Sequence, residues 1–191
     1  MQFEKGADSS TMAGAGLLAR LADYERRSLA HDAGDAAKRQ QISNWDGLVF
    51  RLGEHYLTCQ IDRIEEIIAF PTTFPVPCAK DWLLGMANIR GNLAAVSDLG
   101  WYLYGTRTPI TTRTRLILAK IQGALAGLVV DEVFGQRHFH TDDLKSSSDW
   151  EDSPLEDLVN QEFSTSERSW GVFRIDSLTE RSDFMDGARV N

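Results

Sequence analysis

The chain has 191 residues, 42% of them hydrophobic, and a formal net charge of -8, enough for one substantial core or two small fused lobes. Nine acids from Asp142 to Glu167 stand against a single base, Lys145, and that segment alone accounts for the net charge. The balanced remainder has no block of Lys and Arg able to release counterions from a phosphate backbone, which argues against nucleic acid as a partner.

In chain order, residues 1–44 carry no Trp or Pro, and Leu17, Leu18, Leu21 and Tyr24 recur at helical spacing. An amphipathic helix is expected from Ala13 to about Leu29, ended by His31-Asp32-Ala33-Gly34 and followed by a polar linker through Ser43. This divides the chain into an N-terminal helical extension and linker, 1–44, and a main domain, 45–186. From Trp45 the pattern changes to short strands. Leu48 to Leu52 and His55 to Ile61 flank Gly53-Glu54 as a hairpin. Ile64-Glu65-Glu66-Ile67-Ile68 reads as a strand with Glu65 on the face opposite Ile64 and Glu66. Pro71, Pro75 and Pro77 interrupt regular structure before the stretch Gly85 to Leu99, in which Asn88-Ile89-Arg90-Gly91 forms a turn ahead of an apolar strand closed by Asp98. Gly85 and Gly91 are read as bracketing that turn, with Arg90 offering a planar, permanently charged fork at an exposed corner. A short aromatic segment, Trp101 to Tyr104, precedes strands at Arg115–Ile121, Leu125–Val130 and Val133–Phe139. The acidic stretch reads as a solvated loop with a short helix at Pro154–Val159. Trp170 to Ile175 returns as a strand, and Ser177-Leu178-Thr179-Glu180 fits a capping box that begins a terminal helix. Many short strands with little helix between them indicate antiparallel barrels or a sandwich. No internal repeat is evident.

Candidate chemistry is sparse. Cys59 and Cys78, with no secretory leader, are expected as reduced thiols in the cytoplasm. The chain lacks ~18 consecutive apolar residues, so membrane association is expected only through a partner. His138 and His140 share one face of a strand near Asp142, but a metal site needs further convergent ligands, and no metal or cofactor is expected. Gly14-Ala15-Gly16 lacks the strand and third glycine of a dinucleotide loop. A small cysteine-dependent hydrolase, pairing a thiol with His55 or His138, is the catalytic alternative. The residues themselves leave Arg90 open either as a recognition group or as a tie within its own turn, pairing with Asp98. Ile64 and Val129 read on pattern as core.

Three blocks in order, Ile61 to Ile67, Gly85 to Leu99 and Gly127 to Val133, resemble the CheW family of chemotaxis coupling proteins across roughly residues 45–180. The resemblance implies two fused five-stranded SH3-like β-barrels without a catalytic centre, a mainly β fold here carrying the N-terminal helical extension and a short C-terminal helix. It implies as partners the cytoplasmic tip of a membrane chemoreceptor and the regulatory domain of a CheA-type histidine kinase, and as partner contacts Ile64, Glu66, Gly85, Asn88, Arg90, Gly91 and Val129. Within the family the leading helix, the Asn-x-Arg-Gly-Asn-Leu sequence and the Trp-x-Val-Phe pattern at Trp170 are most similar to couplers of the pilus-associated systems that govern twitching motility. A scaffold of this kind without a kinase partner is the alternative. Ala95 stands where the family usually has proline, Ser97 replaces an apolar residue, and an abrupt return at Trp170 is expected in place of a final hairpin.

Overall fold

The computed structural model describes residues 44–147 and 149–188; the helix expected over 13–29 and the linker after it lie outside the described residues. Eleven strands are described: β1 (Asn44–Leu52), β2 (His55–Gln60), β3 (Ile64–Ala69), β4 (Leu83–Ile89), β5 (Asn92–Asp98), β6 (Arg115–Ile121), β7 (Ala124–Val130), β8 (Glu132–His140), β9 (Leu144–Ser146), β10 (Val159–Ser164) and β11 (Ser169–Phe173). Three short helices accompany them: α1 (Leu99–Tyr104), α2 (Ile175–Glu180) and α3 (Ser182–Met185).

The strands form two sheets, one ordered β8-β1-β2-β11-β10-β9 and the other β3-β6-β7-β5-β4. The mainly β, two-barrel expectation holds, with β9 making the first sheet six-stranded. The sheets repeat one topology. In the first, the β1–β2 hairpin pairs with β8 on one side and, through the parallel β2–β11 contact, with the β10–β11 hairpin on the other. In the second, β6–β7 pairs with β3 and, through parallel β7–β5, with β4–β5. Each central hairpin then sends the next strand to the other sheet, β2 leading into β3 and β7 into β8.

This exchange explains the apolar runs. On β6, Leu116 and Leu118 fill the interior of the five-stranded sheet with Val96 and Val129, whereas Ile117, Ala119 and Ile121 enter a core shared with Phe50, Leu57 and Phe173 of the other sheet. A strand buried on both faces reads as continuously hydrophobic, which is why the run Leu116 to Ala119 marks β6 in the sequence. The six-stranded sheet has its own aromatic interior, in which Phe139 and Phe163 stack with centroids 4.5 Å apart.

Departures from expectation have local causes. Residues 154–158 form turns rather than a helix, because Leu155, Leu158 and Val159 are all buried and the chain must enter β10 at Val159. The acidic stretch thus contributes β9 and β10, and β10–β11 is a hairpin, not an abrupt return. The terminal helix starts at Ile175, two residues before the capping box. Ile175 and Leu178 both anchor in the shared core, and Ser177 is buried inside the helix rather than capping it. Residues 99–104, read as an aromatic segment, are α1, capped by Asp98.

Candidate functional site

The β4–β5 hairpin closes in two residues, Arg90 at φ 51 and Gly91 at φ 88, the left-handed pair of a type I′ turn. Asn88 reinforces it, its Oδ1 accepting a hydrogen bond from the Gly91 N–H at 2.8 Å. β3 lies on the free edge of the sheet, with Ile64, Glu66 and Ile68 half-buried on one face and Glu65, Ile67 and Ala69 turned outward. Across the mouth of the curled sheet, Arg90 Nη2 donates to Glu66 Oε1 at 2.6 Å, joining two candidates 24 residues apart. Arg90 remains 79% exposed and Glu66 28%, so the guanidinium is open to solvent while the carboxylate is largely covered. A second pair, Lys120 Nζ to Glu65 Oε1 at 3.0 Å, flanks the same mouth. Leu93, 64% exposed, stands in the groove between them. Sequence reasoning passed over Leu93, although strand alternation with buried Ala94 and Val96 places it outward.

Two candidates have other roles. Val129, proposed from resemblance as a contact, is fully buried among Leu116, Leu118 and Val96 and has no surface to present. Gly85 does not bracket the turn. It lies within β4 at φ 136, where a Cβ would come 2.2 Å from the Phe74 carbonyl oxygen. That approach lets Phe74 and Met86 exchange two backbone hydrogen bonds of 2.8 Å, tying the segment after β3 to β4. Ile64 packs in part against the shared core.

Asp98 does not pair with Arg90. It is 1% exposed and accepts three hydrogen bonds: from Trp101 N and Thr108 Oγ1 at Oδ1, and from Thr108 N at Oδ2. It therefore caps α1 and fastens the loop leading to β6.

Burial pushes the Cys59 thiol up to about 12, so at neutral pH it is protonated and a poor nucleophile. His138 pairs with Asp46, and among the described residues no three His, Cys, Asp or Glu gather to hold a metal. Native labelling with a thiol reagent at pH 8 is expected to modify exposed Cys78 and to leave Cys59 protected until denaturant is added. Fast reaction of both thiols would contradict this burial.

A CheW-like domain model matches residues 46–182. Protein PilI of Pseudomonas aeruginosa is 29% identical over 168 residues, covering 88% of this chain and 94% of the relative. Chemotaxis protein CheW of Rhizobium meliloti is 28% identical over 126 residues, 66% of this chain and 76% of the relative. The crystal structure of the scaffolding protein TtCheW from Thermoanaerobacter tengcongensis superposes with a TM-score of 0.63 at 21% identity, over 72% of this chain and 94% of that one, a likeness of fold. Among the described residues no helix is long and apolar enough to cross a membrane. With its two strand-exchanged sheets and the family match over most of its length, the chain belongs to the CheW-like family, noncatalytic scaffolds of chemosensory systems.

Proposed function

We propose that this protein couples the cytoplasmic tip of a chemoreceptor to the regulatory domain of a CheA-type histidine kinase, in a chemosensory system controlling twitching by type IV pili. It acts in the cytoplasm, held at the membrane by the receptor. The observation that carries the reading is the Glu66–Arg90 pair at the exposed mouth of the five-stranded sheet, beside Leu93 and the free edge of β3. An oriented arginine next to exposed apolar surface is the usual composition of an interface centre, and a free strand edge offers further pairing. The similarity to PilI over nearly its full length supports the pilus system. On this surface Ile64, Glu66, Asn88, Arg90 and Gly91 serve the contact, and Gly85 shapes the strand behind them.

A coupler transmits only if it binds the kinase differently in the receptor's two signalling states. The test is kinase autophosphorylation in membranes holding the receptor, with and without this protein. Kinase activity that depends on both supports coupling. Receptor binding with no effect on the kinase, and no affinity for its regulatory domain, leaves a scaffold without a kinase partner.

The domain boundary belongs to the same proposal: residues 1–44 are an extension for docking or localisation, and 45–186 fold alone. Deleting residues 1–40 is expected to leave a soluble protein with a cooperative melt and an intact near-ultraviolet spectrum. Aggregation of the truncated chain would place Leu17, Leu18 and Leu21 in the core instead.

A further inference from the structure

We propose that His138 and His140, on the outward face of β8, bind a divalent metal ion of the zinc type, with Asp46 of β1 holding the His138 ring in place. Alternation along β8 puts both imidazoles on the solvent side, while Phe139 between them is buried in the aromatic interior of the six-stranded sheet. Two steps along a strand separate their Cα atoms by about 6.4–6.8 Å. Imidazoles rooted at that separation can bring one nitrogen each to a shared ion, at the ~2.0–2.1 Å that zinc takes to nitrogen. Sequence alone offers only this half of a site.

The strand register adds a third group from 92 residues away. β1 pairs antiparallel with β8 so that Asp46 lies directly opposite His138, and the Asp46 carboxylate accepts a hydrogen bond from His138 Nδ1. The tautomer selected by this bond carries its proton on Nδ1 and leaves the Nε2 lone pair free for a metal. A carboxylate on the far nitrogen of a ligating histidine fixes the ring and raises its basicity, the usual outer support of a zinc-bound imidazole. His140 is exposed and enters no hydrogen bond or ion pair among the described residues, so its ring is free to turn. The groups do not already gather around one point. Rotation of His140 about its own side-chain bonds closes the site, and water fills the remaining positions.

The surroundings suit a cation. Asp142 and Asp143 follow directly and are exposed, with Lys145 further on in β9. The one arginine of β8, Arg137, belongs to the other face, where it lies over the Phe139 and Trp170 rings and pairs with Glu167. Paired imidazoles select zinc, nickel or copper(II) over magnesium and calcium, which prefer oxygen ligands. The site sits on a free edge of the six-stranded sheet, shares no residue with the Glu66–Arg90 mouth, and stands apart from the coupling reading.

The test titrates the full chain with zinc chloride in a calorimeter and follows the imidazole nitrogens by long-range proton–nitrogen NMR. Saturable zinc binding that excess magnesium does not displace is expected, with shifts at His138 Nε2 and at one ring nitrogen of His140 while His138 Nδ1 keeps its proton. Asp46→Ala should weaken zinc ~10–100-fold and release that proton to solvent, the loss usual for an outer carboxylate. His138→Ala and His140→Ala should weaken it at least as much, with thermal melts unchanged in all three variants. Cys78→Ser and His31→Ala, which remove other potential ligands, should leave the affinity as it is. No saturable binding, an affinity indifferent to His138→Ala or His140→Ala, or shifts confined to His31 or His55 would overturn the site. An unchanged affinity in Asp46→Ala would overturn the role given to the carboxylate.

Discussion

Replacing Asp98 with alanine is expected to lower folding stability by about 3–5 kcal/mol, the largest loss foreseen for any single polar side chain here. Loss of the helix cap contributes ~1 kcal/mol. The larger part comes from Thr108, whose N–H and hydroxyl are buried against this carboxylate and would be left without their partner, at ~2–4 kcal/mol for the two groups together. For a domain of this size the melting temperature should fall by about 6–20 °C. Two further variants separate the contributions. Thr108→Val keeps the cap and removes one hydroxyl that would otherwise be stranded, so it should cost ~1–2 kcal/mol. Asp98→Asn keeps a cap acceptor but turns an amide donor toward the Thr108 N–H, and should fall between the two. A loss below ~1 kcal/mol for Asp98→Ala, measured by urea unfolding with an unchanged slope, would mean that water replaces the carboxylate and that the loop from α1 to β6 is not fastened by it.

What the sequence disclosed about the fold follows from where each strand buries its faces. β6 is apolar from Leu116 to Ala119 because both faces are covered there, and β3 alternates because one is not, so both were legible as strands. β9 and β10 were not. Their segment is dense in acids that point to solvent, and the strand character rests on Leu144, Val159 and Phe163 alone, spread over two strands. The repeated topology was also invisible. It lies in the order in which hairpins hand strands across, and residues such as Val96 and Trp170 fill the interiors of their own sheets without resembling each other.

The site was legible to a similar depth. Asn88, Arg90 and Gly91 announce a tight turn by their own backbone preferences, and the turn is there with both central residues at positive φ. No local pattern tells that Arg90 meets Glu66, since that contact depends on the curl of a sheet whose edges are 24 residues apart. Gly85 carried the opposite ambiguity. A glycine near a turn suggests the turn, yet this one answers to Phe74, a residue of the preceding segment. Val129 shows the limit of a resemblance. At full burial its side chain packs in the interior of the sheet and is not itself on a contact surface.

Arg90→Ala is expected to weaken partner binding by at least ~10-fold while changing stability by less than ~1 kcal/mol. The exposed pair with Glu66 contributes little to folding, and removing the long side chain from a left-handed position changes the turn itself only slightly. Glu66→Ala should also weaken binding, because the carboxylate fixes the guanidinium across the mouth and an unfixed arginine must be ordered on association. If Glu66 acts through Arg90, the double variant binds no worse than Arg90→Ala alone, and the deviation from additivity measures their coupling. Exchanging the residues, Glu66→Arg with Arg90→Glu, restores an ion pair but presents the opposite charge outward. Stability should then return to near wild type while binding stays lost, an outcome that separates recognition from mere bracing of the sheet. Affinities for the receptor fragment and the kinase regulatory domain, measured separately alongside thermal melts, decide it. Binding that recovers in the exchanged variant would assign the pair to structure. Unchanged affinity for both partners in folded Arg90→Ala would move the contact away from this mouth altogether.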